Sequence, residues 1–174
     1  MDGDLKEMTL QDVQCMGLEI LKDVHQFCEE QGISYTLFGG TMIGAIRHKG
    51  FIPWDDDVDI AMPRPDYERF ISSYKSDKGY RLFVSGSKDS FLAFSRVCDM
   101  KKTIAMNKAL PWTDHTTGVW IDVFPLDGAP DDKEECERSI AKLKTHWKKT
   151  CFARGAKSPL SLSRGGLEKV KTIV

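Results

Sequence analysis

Two carboxylates, Asp57 and Asp59, stand two residues apart in the run Asp55-Asp56-Asp57-Val58-Asp59-Ile60-Ala61-Met62. On a β-strand that spacing sends both side chains off the same face. Like charges held together raise each other's pKa, and a divalent cation between them offsets the repulsion. The pair therefore predicts a hard oxygen-ligand site for Mg2+, with Mn2+ as the other candidate, although a bare Asp-x-Asp also suits a solvent-facing acidic turn. Val58 and Ile60 alternate with the acids and are expected to face the core, which would seat the carboxylates on a rigid element. A third acid is expected at Asp122, the one charged residue inside the apolar run Val119 to Phe124. A carboxylate buried there needs a partner or a metal. Asp127 follows Pro125 and reads as shaping a turn.

Gly39-Gly40-Thr41 supplies close backbone approach at the opening of a helix, where free N–H groups and the dipole favour a phosphate. An ordinary strand-to-helix turn has the same look. The stretch is neither a P-loop nor a Gly-x-Gly-x-x-Gly fingerprint, so it indicates neither of those nucleotide sites. Arg47, His48 and Lys49 follow closely, and Arg or Lys there could neutralise phosphate oxygens.

These residues need a scaffold, and the pattern predicts one. Thr9 and Asp12 form a capping-box-like start to an amphipathic helix with Leu10, Val13, Ile20, Leu21, Val24 and Phe27 on its apolar stripe, ending near Gly32. Ile33 to Phe38 reads as a strand entering the Gly-Gly turn. A short helix capped by Thr41 follows, with Met42, Ile43, Ala45 and Ile46 as its expected buried side. The acidic strand is expected from Asp57 onward, stopped by Pro63. Pro65 to Tyr74 reads as a helix burying Tyr67, Phe70, Ile71 and Tyr74. Further strands are expected at Tyr80 to Val84, Phe91 to Cys98 and Val119 to Phe124, the last broken by Pro125. A surface loop is expected over Asn107 to Gly118, and a charged helix from Asp131 to about Phe152 with Cys136, Ile140, Leu143 and Trp147 as its apolar line.

The 174 residues, 41% hydrophobic and 29% charged, suit one globular domain rather than a disordered or fibrous chain. Lys and Arg total 25 against 26 Asp and Glu, so no global basic field exists to hold nucleic acid, and any anion site must be local. No apolar run reaches the roughly 20 residues that span a bilayer, and the start Met1-Asp2-Gly3-Asp4 lacks a basic signal region, which predicts a cytoplasmic protein without a transmembrane segment. Cys15, Cys28, Cys98, Cys136 and Cys151 show no Cys-x-x-Cys spacing and are expected to be reduced, mostly buried thiols.

The block from Tyr35, Tyr-Thr-Leu-Phe-Gly-Gly-Thr-Met-Ile-Gly-Ala-Ile-Arg-His-Lys-Gly-Phe-Ile-Pro-Trp-Asp-Asp-Asp-Val-Asp-Ile-Ala-Met, resembles the LicD family of phosphocholine transferases, to which fukutin and fukutin-related protein are similar. Gly118-Val119-Trp120-Ile121-Asp122-Val123-Phe124-Pro125-Leu126-Asp127-Gly128 resembles a second block of that family. The resemblance implies an α+β fold with a nucleotidyltransferase-like mixed sheet flanked by helices. It also implies that Asp57, Asp59 and Asp122 are catalytic metal ligands, and that Gly39, Gly40 and Thr41 meet substrate. Arg47 and Lys49 would hold donor phosphate and Trp54 would stack on or wall the pocket. The implied activity is magnesium-dependent transfer of phosphocholine, or a similar phospho-alcohol, from CDP-choline or another CDP-alcohol to a hydroxyl of a cell-surface glycan precursor of teichoic acid or lipopolysaccharide type. That acceptor implies work at the inner face of the membrane. Nucleotidyl transfer to a sugar or phosphate, and a non-catalytic nucleotide- or glycan-binding module, are the alternatives. Family members usually run further, so 1–174 reads as a single domain of this type with 158–174 as the start of a longer C-terminal region. The zinc-type cysteine cluster of some animal relatives is missing from the sequence.

Overall fold

A computed structural model describes residues 5–87, 90, 92–105, 117–153 and 170–173. The chain forms two compact units, Met1–Leu126 with Leu167–Val174, and Asp127–Gly166. The elements in order are β1 (Leu5–Glu7), α1 (Leu10–Gln31), β2 (Thr36–Leu37), α2 (Gly39–Arg47), β3 (Asp59–Pro63), α3 (Arg64–Ser73), β4 (Tyr80–Phe83), β5 (Ser95–Asp99), β6 (Thr103–Ala105), β7 (Trp120–Leu126), α4 (Lys133–Ala153) and β8 (Val170–Ile173). The fold is α+β, as expected.

Helix α1 starts on a complete capping box. Thr9 Oγ1 accepts from the Asp12 N–H at 3.2 Å, and Asp12 Oδ2 accepts from the Thr9 N–H at 2.9 Å. It stops at Gly32, whose φ of 59° is the left-handed C-terminal position that glycine occupies without cost. Val13, Gly17, Ile20, Val24 and Cys28 form its buried stripe at spacings of three and four. Leu10, expected on that stripe, sits at the exposed first turn instead. Burial pushes the Cys28 thiol up to about 12, so this cysteine is an inert core group.

The main sheet has strand order β2-β3-β7-β5-β4. Strands β3 and β7 are parallel and the other neighbours antiparallel, which makes the sheet mixed. Ile60, Met62, Val97, Ile121 and Val123 join the α1 stripe, Tyr67 and Phe70 of α3, and Tyr74 just after it in one core. Because side chains alternate along a strand, Asp59, Asp122 and Arg96 leave the opposite face. A second, antiparallel sheet has the order β1-β8-β6.

Several expected features differ. Strand β2 covers only Thr36–Leu37, and β3 begins at Asp59, so Asp57 lies in the preceding loop rather than on the strand. Helix α2 takes Phe38 as its N-cap with no side-chain bond, and Thr41 is inside the helix. Its expected buried side is largely solvent-facing: Met42 and Ile43 are exposed, Ile46 is 67% exposed, and Gly44 is the buried residue. Gly44 packs so tightly on the Gly50 to Ile52 backbone that an added Cβ would lie 2.6 Å from the Gly50 carbonyl oxygen. Strand β7 runs through Pro125, which pairs with Met62. Pairing with β5 ends at Val123, so the missing Pro125 N–H deprives no ladder on that side.

In its own unit, α4 begins beside Asp132, whose Oδ1 accepts from the Glu135 N–H at 2.8 Å. Its expected apolar line is not buried, since Ile140 and Leu143 are exposed. Of the expected elements, Phe91, the Trp147 side chain and most of the Asn107 to Gly118 loop fall outside the described residues. Among the described residues, Cys15, Cys28, Cys98 and Cys136 are free thiols, with Cys15 exposed and Cys28 and Cys98 buried. No helix among them is long and apolar enough to cross a membrane.

Candidate active site

The parallel pairing of β3 and β7 sets Asp59 directly opposite Asp122. The antiparallel pairing of β5 and β7 sets Arg96 opposite the same Asp122. Three neighbouring strands thus present Asp59, Asp122 and Arg96 side by side on one sheet face. Arg96 Nε donates to Asp122 Oδ1 at 2.6 Å and Nη2 donates to Oδ2 at 3.0 Å, a bidentate fork. The guanidinium lies 4.1 Å from the Trp120 ring centre, which fixes its plane. The pairing partner that burial of Asp122 called for is therefore Arg96, a residue the sequence reading did not single out.

The Gly-Gly turn brings the start of α2 onto these acids. A Cβ on Gly39 would lie 2.7 Å from Asp59 Oδ2, and one on Gly40 would lie 2.5 Å from Asp55 Oδ2, so the two glycines leave these carboxylates room that any larger residue would make them give up. Gly39 also has a φ of 53°. Thr41 Oγ1 accepts from the Asp59 N–H at 2.8 Å and Phe38 N–H donates to the Asp59 carbonyl at 2.9 Å, so both ends of the turn are tied to the first residue of β3. Thr41 is a positioning residue here rather than a helix cap.

Asp55, Asp56 and Asp57 offer carboxylate oxygens all within 4.8 Å of one another. The loop carrying them is tied to α1, where Gln14 Nε2 donates to the Asp55 carbonyl at 2.8 Å and, at 3.4 Å, to that of Ile52. Gln14, Asp55 and Asp56 were not named from sequence as site residues. A Gln14→Leu chain should lose about 1 kcal/mol of stability and bind Mn2+ more weakly. Urea unfolding and a manganese titration check this, and unchanged affinity would free the loop geometry from Gln14.

The acids differ from a structural carboxylate in the same unit. Buried Asp99 accepts from the N–H groups of Lys101, Lys102 and Thr103 and from the Thr103 hydroxyl. Among the described residues, the Asp59 carboxylate accepts no hydrogen bond. Burial first, and then the charges of Asp57, Asp122 and Asp55, push Asp59 up to about 7. Burial and the charges of Asp55, Asp56 and Asp122 push Asp57 up to about 6. Carboxylate oxygens that repel one another, with Asp59 free of hydrogen-bond donors among the described residues, fit a hard divalent cation such as Mg2+ or Mn2+.

This has a measurable consequence for the metal-free chain. Both acids keep a proton in the folded state that the unfolded chain has lost above about pH 4, so folding stability falls as pH rises from about 4 through about 7. In chelator, the melting temperature should drop across that window, and saturating Mg2+ should flatten the drop at its upper end. A flat profile without metal would count against the crowding.

Arg47 ends α2, about 12 Å along its axis from Gly39 at 1.5 Å per residue, while Lys49, past that end with a φ of 57°, lines one cavity with Thr41 and Asp55. Trp54 is 77% exposed and meets His48 edge-on, with ring centres 6.5 Å apart. The structure thus sets Lys49 on the same cavity as Asp55, keeps Trp54 next to Asp55 in the chain, and leaves Arg47 at the opposite end of α2 from the Gly-Gly turn.

The molecule is thus a mixed α+β sheet whose Gly-Gly turn abuts Asp59, with Asp122 opposite it on the neighbouring strand. Residues 32–164 match the family described as "LicD/FKTN/FKRP, nucleotidyltransferase domain". The chain belongs to the LicD family. It is 36% identical over 132 residues to "Lipopolysaccharide cholinephosphotransferase LicD" of Haemophilus influenzae, which covers 74% of this chain and 48% of that protein. It is 50% identical over 34 residues to "Ribitol 5-phosphate transferase FKRP" of Homo sapiens, 20% of this chain and 7% of that protein. An uncharacterized protein of Rickettsia typhi is 32% identical over 85 residues, 47% of this chain and 27% of that protein. The chain thus spans about half the length of the Haemophilus relative and less of the others.

Proposed function

We propose that this chain carries the catalytic site of a divalent-dependent transferase that moves phosphocholine, or a similar phospho-alcohol, from a CDP-linked donor to a hydroxyl of a cell-surface glycan precursor. The observation that carries the reading is the register-matched pair Asp59 and Asp122, joined by Asp57 and abutted by the Gly-Gly turn. The name of the Haemophilus relative supports the phosphocholine and lipopolysaccharide parts. Mg2+ or Mn2+ would be held by Asp57, Asp59 and Asp122, and would supply charge neutralisation at a diphosphate and at a leaving phosphate oxygen.

The chain's own groups do the rest. The N–H groups opening α2 at Gly39 and Gly40 bind phosphate oxygen beside the carboxylates. Arg96 holds Asp122 by both oxygens, so its remaining lone pairs have a fixed direction toward which an acceptor hydroxyl can point. Asp122 then orients that hydroxyl for in-line attack on phosphorus and takes up its proton. Lys49 and Trp54, flanking the Asp55 loop, would hold donor phosphate and wall the pocket, and Arg47 would meet a more remote part of the substrate. A glycan precursor places this work at the cytoplasmic face of the membrane.

The test is CMP release from CDP-choline with Mg2+, with and without a glycan acceptor, in the parent and in Asp57→Asn. Magnesium-dependent release that collapses in the variant supports the reading. Pyrophosphate release from a nucleoside triphosphate would point to nucleotidyl transfer. Binding without any release would leave a binding module.

A further inference from the structure

Helix α4 carries an apolar line in water, and the transfer reading does not use it. Ile140 is 44% exposed and Leu143 is 68% exposed. At about 100° per residue, positions 136, 140, 143 and 147 share an arc of about 60°, and the sequence places Cys136 and Trp147 at its two ends.

The helix also changes sign along its length. Its acids, Glu134, Glu135 and Glu137, all precede Arg138, whereas the stretch from Arg138 to Ala153 holds Arg138, Lys142, Lys144, Lys148 and Lys149 and no acid. Arg138 is paired with Glu134 at 3.7 Å. The four lysines are exposed, and among the described residues none of them meets a carboxylate. Residues 138–174 hold ten of the chain's 25 Lys and Arg but one of its 26 Asp and Glu, so this basic stretch sits on an otherwise acid-rich chain.

The arrangement of charge and apolar surface decides what the face fits. By helical spacing Lys144 and Lys148 flank the apolar line, and Lys142 and Lys149 lie round the back of the helix, a diameter of about 10 Å away and so within about one Debye length at moderate salt. A face that is apolar along its centre and cationic at its rim matches a surface that is anionic on top and apolar beneath, which is a bilayer with anionic headgroups. Nucleic acid offers the anions without the apolar layer, and would leave Ile140 and Leu143 in water. The exposed face of α2, with Ile46 and Trp54, runs instead into Asp55-Asp56-Asp57, which an anionic surface repels. No described helix is long and apolar enough to cross a membrane, so α4 would lie on the bilayer and not span it.

We propose that α4 is an interfacial helix that sinks Ile140 and Leu143 below the headgroups of an anionic bilayer, with Lys144 and Lys148 on the lipid phosphates and Lys142 and Lys149 adding longer-range attraction.

The test is co-sedimentation of the full chain with vesicles of phosphatidylcholine alone and with vesicles in which about 30% of the lipid is phosphatidylglycerol. The parent should partition at least about thirtyfold more strongly into the anionic vesicles, and should lose most of that preference in about 0.5 M salt. Lys144→Gln combined with Lys148→Gln should weaken anionic binding about twentyfold, from about fivefold for each charge near the surface. Leu143→Gln should weaken it about tenfold, since part of a leucine side chain is no longer removed from water. Glutamine is a good helix former and these positions are exposed, so each variant should melt with the parent. No preference for anionic vesicles, binding untouched by either variant, or a self-associating chain that Leu143→Gln turns into a monomer and that ignores vesicles would overturn the interfacial helix. Loss on the lysine changes alone, with Leu143→Gln binding like the parent, would overturn the insertion of the apolar line. Vesicle binding is read without any substrate, and Leu143→Gln should release CMP from water-soluble CDP-choline at the parent rate, so the helix and the transfer reading fail separately.

Discussion

An Asp59→Asn chain should melt at a higher temperature than the parent in chelator at neutral pH, and yet release CMP between a hundredfold and a thousandfold more slowly, on the order of the loss of one well-placed electrostatic contact to a transition state. The two effects share one cause. Asp59 is partly buried beside Asp57, Asp122 and Asp55, and these push its acid up to about 7. An amide has no charge to desolvate and nothing to repel, and its N–H2 can donate to the acids around it. It removes the penalty that grows as the metal-free chain is brought from about pH 4 to about pH 7. The same amide cannot neutralise a cation, so the divalent ion proposed for the site should bind far more weakly. Gly39 packs against Asp59 Oδ2, and an isosteric amide leaves that contact in place. Melting curves at pH 5 and pH 8 separate the two readings, because the gain should be largest at the higher pH. Unchanged turnover would remove Asp59 from the ligand set.

Arg96 should matter to the fold as much as to the site. Its fork with Asp122 is mostly shielded from water, with the two side chains 17% and 10% exposed. Removing one partner of such a pair strands the other charge, a loss of about 3–5 kcal/mol, whereas exposed pairs such as Lys22 with Glu19 contribute little. Urea unfolding of Arg96→Met should show that loss. Arg96→Lys should recover part of it, since a point charge cannot reproduce a fork or the planar contact with Trp120. The double variant Arg96→Met with Asp122→Leu should regain most of the stability and none of the activity, because two apolar groups need no pairing but cannot hold or orient a substrate. If Arg96→Met unfolds like the parent, the pair is not the element that locks β5 to β7.

Much of the scaffold was legible because it is written in local chemistry. Thr9, Asp12 and Gly32 mark both ends of α1 without reference to anything distant. Val58 and Ile60 were expected inward and are fully buried, and Asp122 stood out as a charge in an apolar run. What stayed hidden depends on partners far along the chain. Nothing near Arg96 in sequence announces that register will place it against Asp122. Asp57 was assigned to the strand because alternation is a pattern of residue types, whereas pairing is a matter of neighbours: the ladder begins where the Asp122 N–H donates to the Val58 carbonyl. The apolar residues of α2 have helical spacing, but spacing cannot say whether another element will cover them. Strands β1, β6 and β8 are three to four residues each, too short to show any alternation.

The parallel pairing of β3 with β7 also sets when the site comes into being. Asp59 and Asp122 are about sixty residues apart, and a parallel pair needs a crossover to close, so this contact is non-local and expensive in chain entropy. A partly folded molecule still carries the local acidic run from Asp55 to Asp59, able to attract a cation loosely. The opposing acid and the arginine that aims it arrive only once the crossover has closed. Competence for chemistry is thus tied to the slowest kind of structural event, and a chain that can engage its substrate is one whose topology is already complete.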